Sequence, residues 1–146
     1  MPPPASFASP QHEIKETITE LIGEEATAEF YDAWLQNHCR EADIDSMKAC
    51  GFNSVRLPMH YNLFTLPIEE EPVAFQNTWL DLGFDLTDSL VKCCKERQRY
   101  GILDLHAAPG GQGYDADISD YYSSKPSLWD SIQTLHKMAA LGMLIA

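Results

Sequence analysis

The sequence has few basic residues and no long apolar run, and these two deficits exclude several classes of function. Ten lysines and arginines stand against 22 aspartates and glutamates, which gives a formal net charge of −12. Such an acidic surface repels nucleic acid and anionic membranes, so neither is an expected partner. The wholly apolar segment at residues 138–146 has nine residues, well short of the roughly 20 that span a bilayer. A neutral or cationic partner is therefore favoured.

The sequence also lacks the cysteine spacing of a structural metal site. No C-x-x-C pair occurs and no cysteine–histidine group has zinc-finger spacing, so we expect no metal site. The four cysteines are expected to be buried or half-buried free thiols, with a disulfide framework as the alternative. Residues 1–10 carry four prolines and lack the basic and apolar regions of a signal peptide, so we predict an irregular leader there.

Residues 11–146 are predicted to form one partial α/β domain. Apolar residues at helical spacing predict helices near residues 11–22, 24–39, 42–50, 84–99 and 127–141. Strand-like runs cover residues 53–58 and 100–106, and a long structureless connection is expected at residues 59–83. Strands that alternate with helices in this way indicate a parallel sheet. Two strand–helix units are too few for a complete barrel or doubly wound sheet.

Side-chain alternation along the two strands predicts one polar face and one apolar face. Arg56 lies on the polar face of the first strand, and Asp104 and His106 lie on the polar face of the second. An unpaired buried charge is costly, so Arg56 needs a carboxylate partner. Asp104 is the candidate within these strands, and a carboxylate from outside the chain is the alternative. A purely structural ion pair would explain Arg56 without a role in a site.

The histidines divide into two candidates for a site and three predicted surface residues. His106 ends the second strand directly before a glycine-rich loop, where α/β barrels place active-site residues. The alternative for His106 is a hydrogen-bonded core histidine. His60 follows the first strand at an equivalent position and is a weaker candidate. The histidines expected at the surface of helical segments are His12, His38 and His136.

Aromatic residues in the loops after the strands could bind sugar rings. Trp79 and Tyr114 are the candidates for such platforms, because aromatic faces suit the apolar faces of sugars. Packing and loop anchoring are the alternative for both residues.

Three other sequence patterns do not indicate a functional site, because the residues around them do not match what such a site requires. Gly111-Gln112-Gly113 with Ala116 matches the dinucleotide fingerprint in letters alone, because Pro109 interrupts the strand and no helix is expected to follow. The aspartates at positions 115, 117 and 120 lack the glycine and glutamate of a calcium-binding EF-hand loop. The run from Glu69 to Glu71 is expected to be a solvated loop.

Several segments together resemble glycoside hydrolase family 5, the cellulase-like retaining β-glycosidases. They are residues 42–44 (Ala-Asp-Ile), 51–58 (Gly-Phe-Asn-Ser-Val-Arg-Leu-Pro), 102–110 (Ile-Leu-Asp-Leu-His-Ala-Ala-Pro-Gly) and 125–129 (Lys-Pro-Ser-Leu-Trp). The resemblance runs from about Ser9 to Asp130. It implies an incomplete (β/α)8 TIM barrel, of which this chain would hold the second and third strands and N-terminal helices. It also implies hydrolysis of O-glycosyl bonds in β-glucan-type polysaccharides, a neutral oligo- or polysaccharide as partner, no cofactor, and a family that is often extracellular.

The resemblance also assigns supporting roles to two residues. Arg56 is similar to the family's arginine that supports the nucleophilic glutamate, and His106 to the histidine that lines the subsite where the bond is cut. The family's acid is a glutamate that follows an asparagine on the fourth strand, and its nucleophile is on the seventh. No Asn-Glu pair occurs in the 146 residues. We therefore expect the chain by itself to be an inactive fragment, with a non-catalytic truncated product or weak carbohydrate binder as the alternative.

Overall fold

The computed structural model describes residues 10–145, so most of the predicted leader lies outside the described residues. Within this range the chain forms six α-helices and two β-strands. In chain order they are α1 (Gln11–Ile22), α2 (Glu24–Asn37), α3 (Glu41–Ala49), β1 (Ser54–His60), α4 (Asp81–Glu96), β2 (Tyr100–Ala107), α5 (Ala116–Ser119) and α6 (Ile132–Ile145). The predicted order of helices and strands is confirmed. The single-turn helix α5 was not expected.

The two strands pair in parallel, which confirms the α/β class. The register places Arg56 beside Ile102 and Pro58 beside Asp104. An irregularity between Met59 and His60 shifts the pairing at the end of β1. Parallel strands need a long crossover connection, and here α4 lies within it. The carboxyl ends of both strands therefore meet at one edge of the sheet.

The apolar face of the sheet packs against the helices. Buried Met59, Phe64 and Leu141 form the centre of a cluster that joins β1 to α6. Leu57, Leu103 and Leu105 from the two strands pack against that cluster. A second cluster joins α3 to α4 and contains Ile44, Cys93 and Cys94. The apolar face predicted from side-chain alternation is confirmed.

The cysteines agree only partly with the expectation. All four are free thiols, as predicted. Cys93 and Cys94 are buried, but Cys39 and Cys50 are exposed. Burial raises the pKa of the Cys93 thiol above its ordinary value.

The connection between β1 and α4 has more structure than expected. A short 3₁₀ helix at Tyr61–Leu63 follows β1 directly. Thr65 and Trp79 form an antiparallel bridge, and the Thr65 hydroxyl donates to the Thr78 carbonyl at 2.8 Å. A Cβ at Gly83 would lie 2.6 Å from the Leu63 carbonyl oxygen, so this close approach requires glycine.

A buried ion pair holds this connection against α6. The side chains of Lys137 and Glu71 are 1% and 0% exposed. Lys137 donates to the Glu71 carboxylate and, at 2.8 Å, to the Thr65 hydroxyl. The Thr78 hydroxyl and backbone N–H donate to the same carboxylate. Burial opposes ionisation of Glu71, but the bonds from Lys137 and Thr78 outweigh it and hold the pKa below its ordinary value.

The expectation of a solvated run from Glu69 to Glu71 is therefore wrong for Glu71. The physical reason is that α6 brings Lys137 to this loop from 66 residues away in the sequence. Glu69 does lie near the surface, where it pairs with Lys125. In this loop Glu71 thus forms a buried ion pair, and Glu69, two residues earlier, forms a partly exposed one.

We predict that Glu71→Gln lowers the free energy of unfolding by about 3–5 kcal/mol, because it leaves the Lys137 ammonium buried without a counter-charge. Glu69→Gln is the matched control and should cost about 1 kcal/mol or less, since its pair is solvated. Urea unfolding followed by circular dichroism measures both values. Equal losses in the two variants would contradict the assignment.

Candidate functional site

Three polar side chains meet on the open face of the sheet, and one of them, His106, is the next-to-last residue of β2. Arg56 comes from β1, and Asp104 and His106 come from β2; we call them the strand-end group. Arg56 donates to the Asp104 carboxylate, and its Nη2 lies 3.3 Å from Nδ1 of His106. That Nδ1 also lies 3.2 Å from Oδ2 of Asp104. The predicted polar face and the predicted Arg56–Asp104 pair are confirmed.

The strand-end group is accessible to solvent. The Arg56 side chain is 56% exposed and that of His106 is 45% exposed. An ion pair in such a position contributes at most about 1 kcal/mol to stability. Its main physical effect is therefore to orient the guanidinium and the imidazole toward the open face. Because its side chain is this exposed, His106 is not a buried core histidine.

The imidazole of His106 can present its second nitrogen to a ligand. Nδ1 can accept from Arg56 or donate to Asp104, and a neutral ring does only one of these at a time. Both bonds use Nδ1, which leaves Nε2 for a group on the open face. A sugar hydroxyl both donates and accepts, so it can bind either tautomer.

The turn after β2 is held by a side chain that sequence reasoning missed. The Gln112 amide donates to the His106 carbonyl and accepts from the Ala108 N–H at 3.0 Å. Gly110 and Gly111 both have φ of +77°, a conformation that favours glycine. Gln112 thus fixes the backbone immediately after His106. The one sequence feature that marks Gln112 is its position between Gly111 and Gly113.

His60 lies at the end of β1, but its hydrogen bonds do not join it to the strand-end group. Its Nε2 lies 2.9 Å from Oδ2 of Asp120, in the loop after β2. Oδ1 of the same carboxylate lies 2.8 Å from Nδ1 of His12. The expectation that His12 is a surface residue is therefore wrong, because the loop after β2 covers the start of α1. His38 and His136 are exposed, as predicted.

The two candidate sugar platforms differ in accessibility. Trp79 is half-buried and contacts the ring of Phe84 edge-on, with the ring centroids 6.5 Å apart. Tyr114 is 70% exposed and contacts Tyr121 edge-on. Tyr114 therefore offers an open ring face, whereas part of the Trp79 ring packs against the hydrophobic core. Trp129 is an additional exposed ring in the same region, and its indole N–H donates to the Gln112 carbonyl.

The described part of the chain has neither a metal cluster nor a membrane-spanning helix. Between residues 10 and 145, no group of three or more His, Cys, Asp or Glu side chains could hold a metal ion. In the same range, every helix is too short or too polar to cross a membrane.

Comparison with known proteins identifies a family of glycoside-cleaving enzymes. The family model for cellulase (glycosyl hydrolase family 5) matches residues 12–140. A β-xylosidase of Phanerodontia chrysosporium is 30% identical over 105 residues, which cover 72% of this chain and 21% of that protein. A glucan 1,3-β-glucosidase of Candida oleophila is 33% identical over 106 residues, covering 71% of this chain and 23% of that protein. The chain thus spans about a fifth of the length of these relatives.

A further relative is described as a probable glucan endo-1,6-β-glucosidase B, from Aspergillus flavus. It is 24% identical over 135 residues, which cover 82% of this chain and 32% of that protein. No solved structure matches the chain significantly.

We predict that Gln112→Ala loosens the turn after β2, because the Ala108 N–H and the His106 carbonyl both lose their partner. The free energy of unfolding should fall by about 1–3 kcal/mol. Hydrogen exchange at Ala108 should accelerate. Gln76→Ala, at an exposed loop position, is the control and should leave both quantities unchanged. Unaltered exchange at Ala108 in Gln112→Ala would refute this role.

Proposed function

Because the chain belongs to glycosyl hydrolase family 5, the cellulase family, we propose that it forms part of the site of a β-glucan glycosidase. Relatives described as glucan β-glucosidases support this substrate class. The open strand-end group is the observation that carries the proposal. It presents a cation on one face of a parallel sheet and, beside it, an imidazole near the carboxyl end of β2. That end of the strands is where α/β barrel enzymes place their chemistry.

The fold we propose is part of a (β/α)8 barrel, with β1 and β2 as its second and third strands. The parallel pair, its α4 crossover and its outer helical layer are what two neighbouring barrel units require. On this view the face that carries Arg56 and His106 points into the barrel. Residues 11–146 would then make up one partial barrel domain.

The mechanism we propose is a retaining double displacement, which needs two carboxyl groups about 5–5.5 Å apart. One protonates the leaving oxygen and the other attacks the anomeric carbon. The strand-end group contains a single carboxylate, Asp104, and its Oδ2 is already engaged by Arg56 and His106. We therefore assign supporting roles to this chain's residues: Arg56 stabilises a neighbouring nucleophilic carboxylate, and His106 binds a sugar hydroxyl.

The substrate we propose is a neutral oligo- or polysaccharide. A net charge of −12 disfavours anionic polymers, while neutral sugars are bound by hydrogen bonds and aromatic faces. Tyr114 offers the most open of the predicted platforms. Trp79 and His60 complete the proposed substrate-binding residues. No step of this chemistry requires a cofactor.

The second candidate function is a non-catalytic carbohydrate-binding fragment. The absence of an Asn-Glu pair favours a non-catalytic role. In residues 10–145 each strand has one partner and one open edge. Open strand edges promote association or misfolding. Strong hydrogen-exchange protection of β1 and β2 in a monomer would show that the chain folds by itself despite these open edges.

We predict that the purified 146-residue chain does not hydrolyse an aryl β-glucoside or a soluble β-glucan. The reason is that Arg56 and His106 cannot replace the missing pair of carboxyl groups. Release of the aryl group and of reducing ends should match a buffer blank, with an active β-glucosidase as positive control. Turnover that Arg56→Met abolishes would overturn the prediction.

We also predict that a short β-glucan oligosaccharide binds weakly at the strand-end group. Titration should shift the NMR signals of the His106 imidazole. His106→Ala removes one hydrogen bond to an uncharged group, so affinity should fall by up to about tenfold. His136→Ala, at an exposed position on α6, is the control and should bind like the unmodified chain. Equal affinity of all three proteins would place the sugar elsewhere.

A further inference from the structure

Trp129 lies beside the turn that follows β2, and its ring is open to solvent. The residue is 64% exposed, whereas the two residues before it, Ser127 and Leu128, are 1% and 3% exposed. Tryptophan is highly buried on average in folded proteins. Here the neighbouring residues of the segment are buried and the tryptophan is turned outward, so the ring does not anchor the segment in the core.

The segment that carries Trp129 is held by hydrogen bonds on both sides of that residue. The Leu128 N–H donates to the Gly111 carbonyl at 2.9 Å, which attaches the segment to the glycine turn. The Ser127 hydroxyl donates to the Asp130 carboxylate at 2.7 Å, and the Asp130 N–H donates to the Ser127 carbonyl at 3.1 Å. These bonds span Trp129 and fix its backbone. A ring on fixed backbone loses less conformational entropy when it binds a ligand.

The indole of Trp129 is itself held by its one polar atom. Its Nε1–H donates to the Gln112 carbonyl at 2.8 Å. This bond satisfies the single hydrogen-bonding group of the side chain and fixes the ring at its edge, so the apolar ring faces are not used by it. The side-chain amide of the same Gln112 donates to the His106 carbonyl. Gln112 therefore holds both the indole of Trp129 and the backbone of His106, which keeps the ring close to the end of β2.

Trp129 is not a scattered surface residue, because a second exposed ring belongs to the same turn. Tyr114 follows Gln112 by two residues and is 70% exposed. Exposed apolar surface that is concentrated in this way is typical of a ligand-binding region, whereas single exposed apolar residues are common everywhere. Trp34 on α2 differs, because it stacks on His38 with the ring centroids 3.9 Å apart and so has one face covered.

We propose that Trp129 is a sugar platform that stacks on a glucosyl unit next to the unit bound by His106. The strand-end group offers hydrogen bonds and charge but no apolar surface, so it leaves the apolar face of an adjoining sugar uncovered. The fixed, uncharged ring of Trp129 supplies that surface at the same end of β2. This inference rests on the proposed glycan site, since His106 binds the neighbouring unit there.

The experiment titrates the full 146-residue chain with a β-1,3-linked glucose trisaccharide and follows the tryptophan indole N–H signals by NMR. The Trp129 signal should shift, because a sugar that stacks on the ring changes the magnetic environment of its N–H. The His106 imidazole signal should shift with the same midpoint, since one trisaccharide contacts both residues. The Trp34 indole signal should stay in place.

Two variants of Trp129 separate the ring from its anchor. Trp129→Ala should lower the affinity for the trisaccharide by about three- to tenfold, as expected for one lost aromatic contact. Trp129→Phe keeps a ring without the N–H donor, so its affinity should lie between those of Trp129→Ala and the unmodified chain. Trp34→Ala is the matched control, because it removes an exposed tryptophan from α2, and should leave the affinity unchanged. Should Trp129→Ala fail to fold, Trp129→Phe and the indole shift of the unmodified chain still decide.

The outcomes separate this inference from the proposed function. A Trp129 signal that stays in place while the His106 signal shifts would overturn the platform and leave the proposed glycan site standing. Equal affinities of Trp129→Ala and Trp34→Ala would overturn the platform too. If the trisaccharide moves neither the Trp129 nor the His106 signal, the proposed glycan site is refuted and the platform with it.

Discussion

Parallel pairing of β1 with β2 is the constraint on which the position of every candidate functional side chain depends. Because the strands run the same way, their carboxyl ends and the loops that follow them lie at one edge. Side-chain alternation then places Arg56, Asp104 and His106 together on the open face. A slip of one residue in either strand would exchange its two faces, burying the polar side chains against the helices and exposing the leucines. Burial of the hydrophobic face against the helices therefore determines which side chains form the polar face.

The two long loops depend on charged contacts with helices rather than on apolar packing alone. Lys137 of α6 holds the loop after β1 through Glu71, and His12 of α1 holds the loop after β2 through Asp120. Desolvating an ion pair is costly, and the cost is offset only where the geometry and the additional hydrogen bonds are good. Thr65 and Thr78 supply those bonds to the Lys137–Glu71 pair.

The sequence predicted what depends on local pattern and missed what depends on distant partners. Helix spacing, strand runs and side-chain alternation gave the order of elements, the parallel sheet and the Arg56–Asp104 pair, since these follow from periods of 3.6 and 2 residues. The burial of Glu71 and His12 could not be predicted in this way. Their partners lie 66 and 108 residues away, and only the folded chain brings them together. Gln112 was missed because its amide bonds to backbone atoms, which any sequence possesses.

The charge distribution explains why we assign orientation rather than bond cleavage to the strand-end group. Arg56 is an exposed cation that donates to Asp104, in a chain of net charge −12. A cation in that position favours the ionised form of any carboxylate that approaches it, which is what a nucleophilic glutamate needs. The acid of the same reaction must hold a proton, so it has to lie further from Arg56. One face that carries the arginine and the histidine that we propose to bind sugar can therefore serve both catalytic carboxyl groups without containing either.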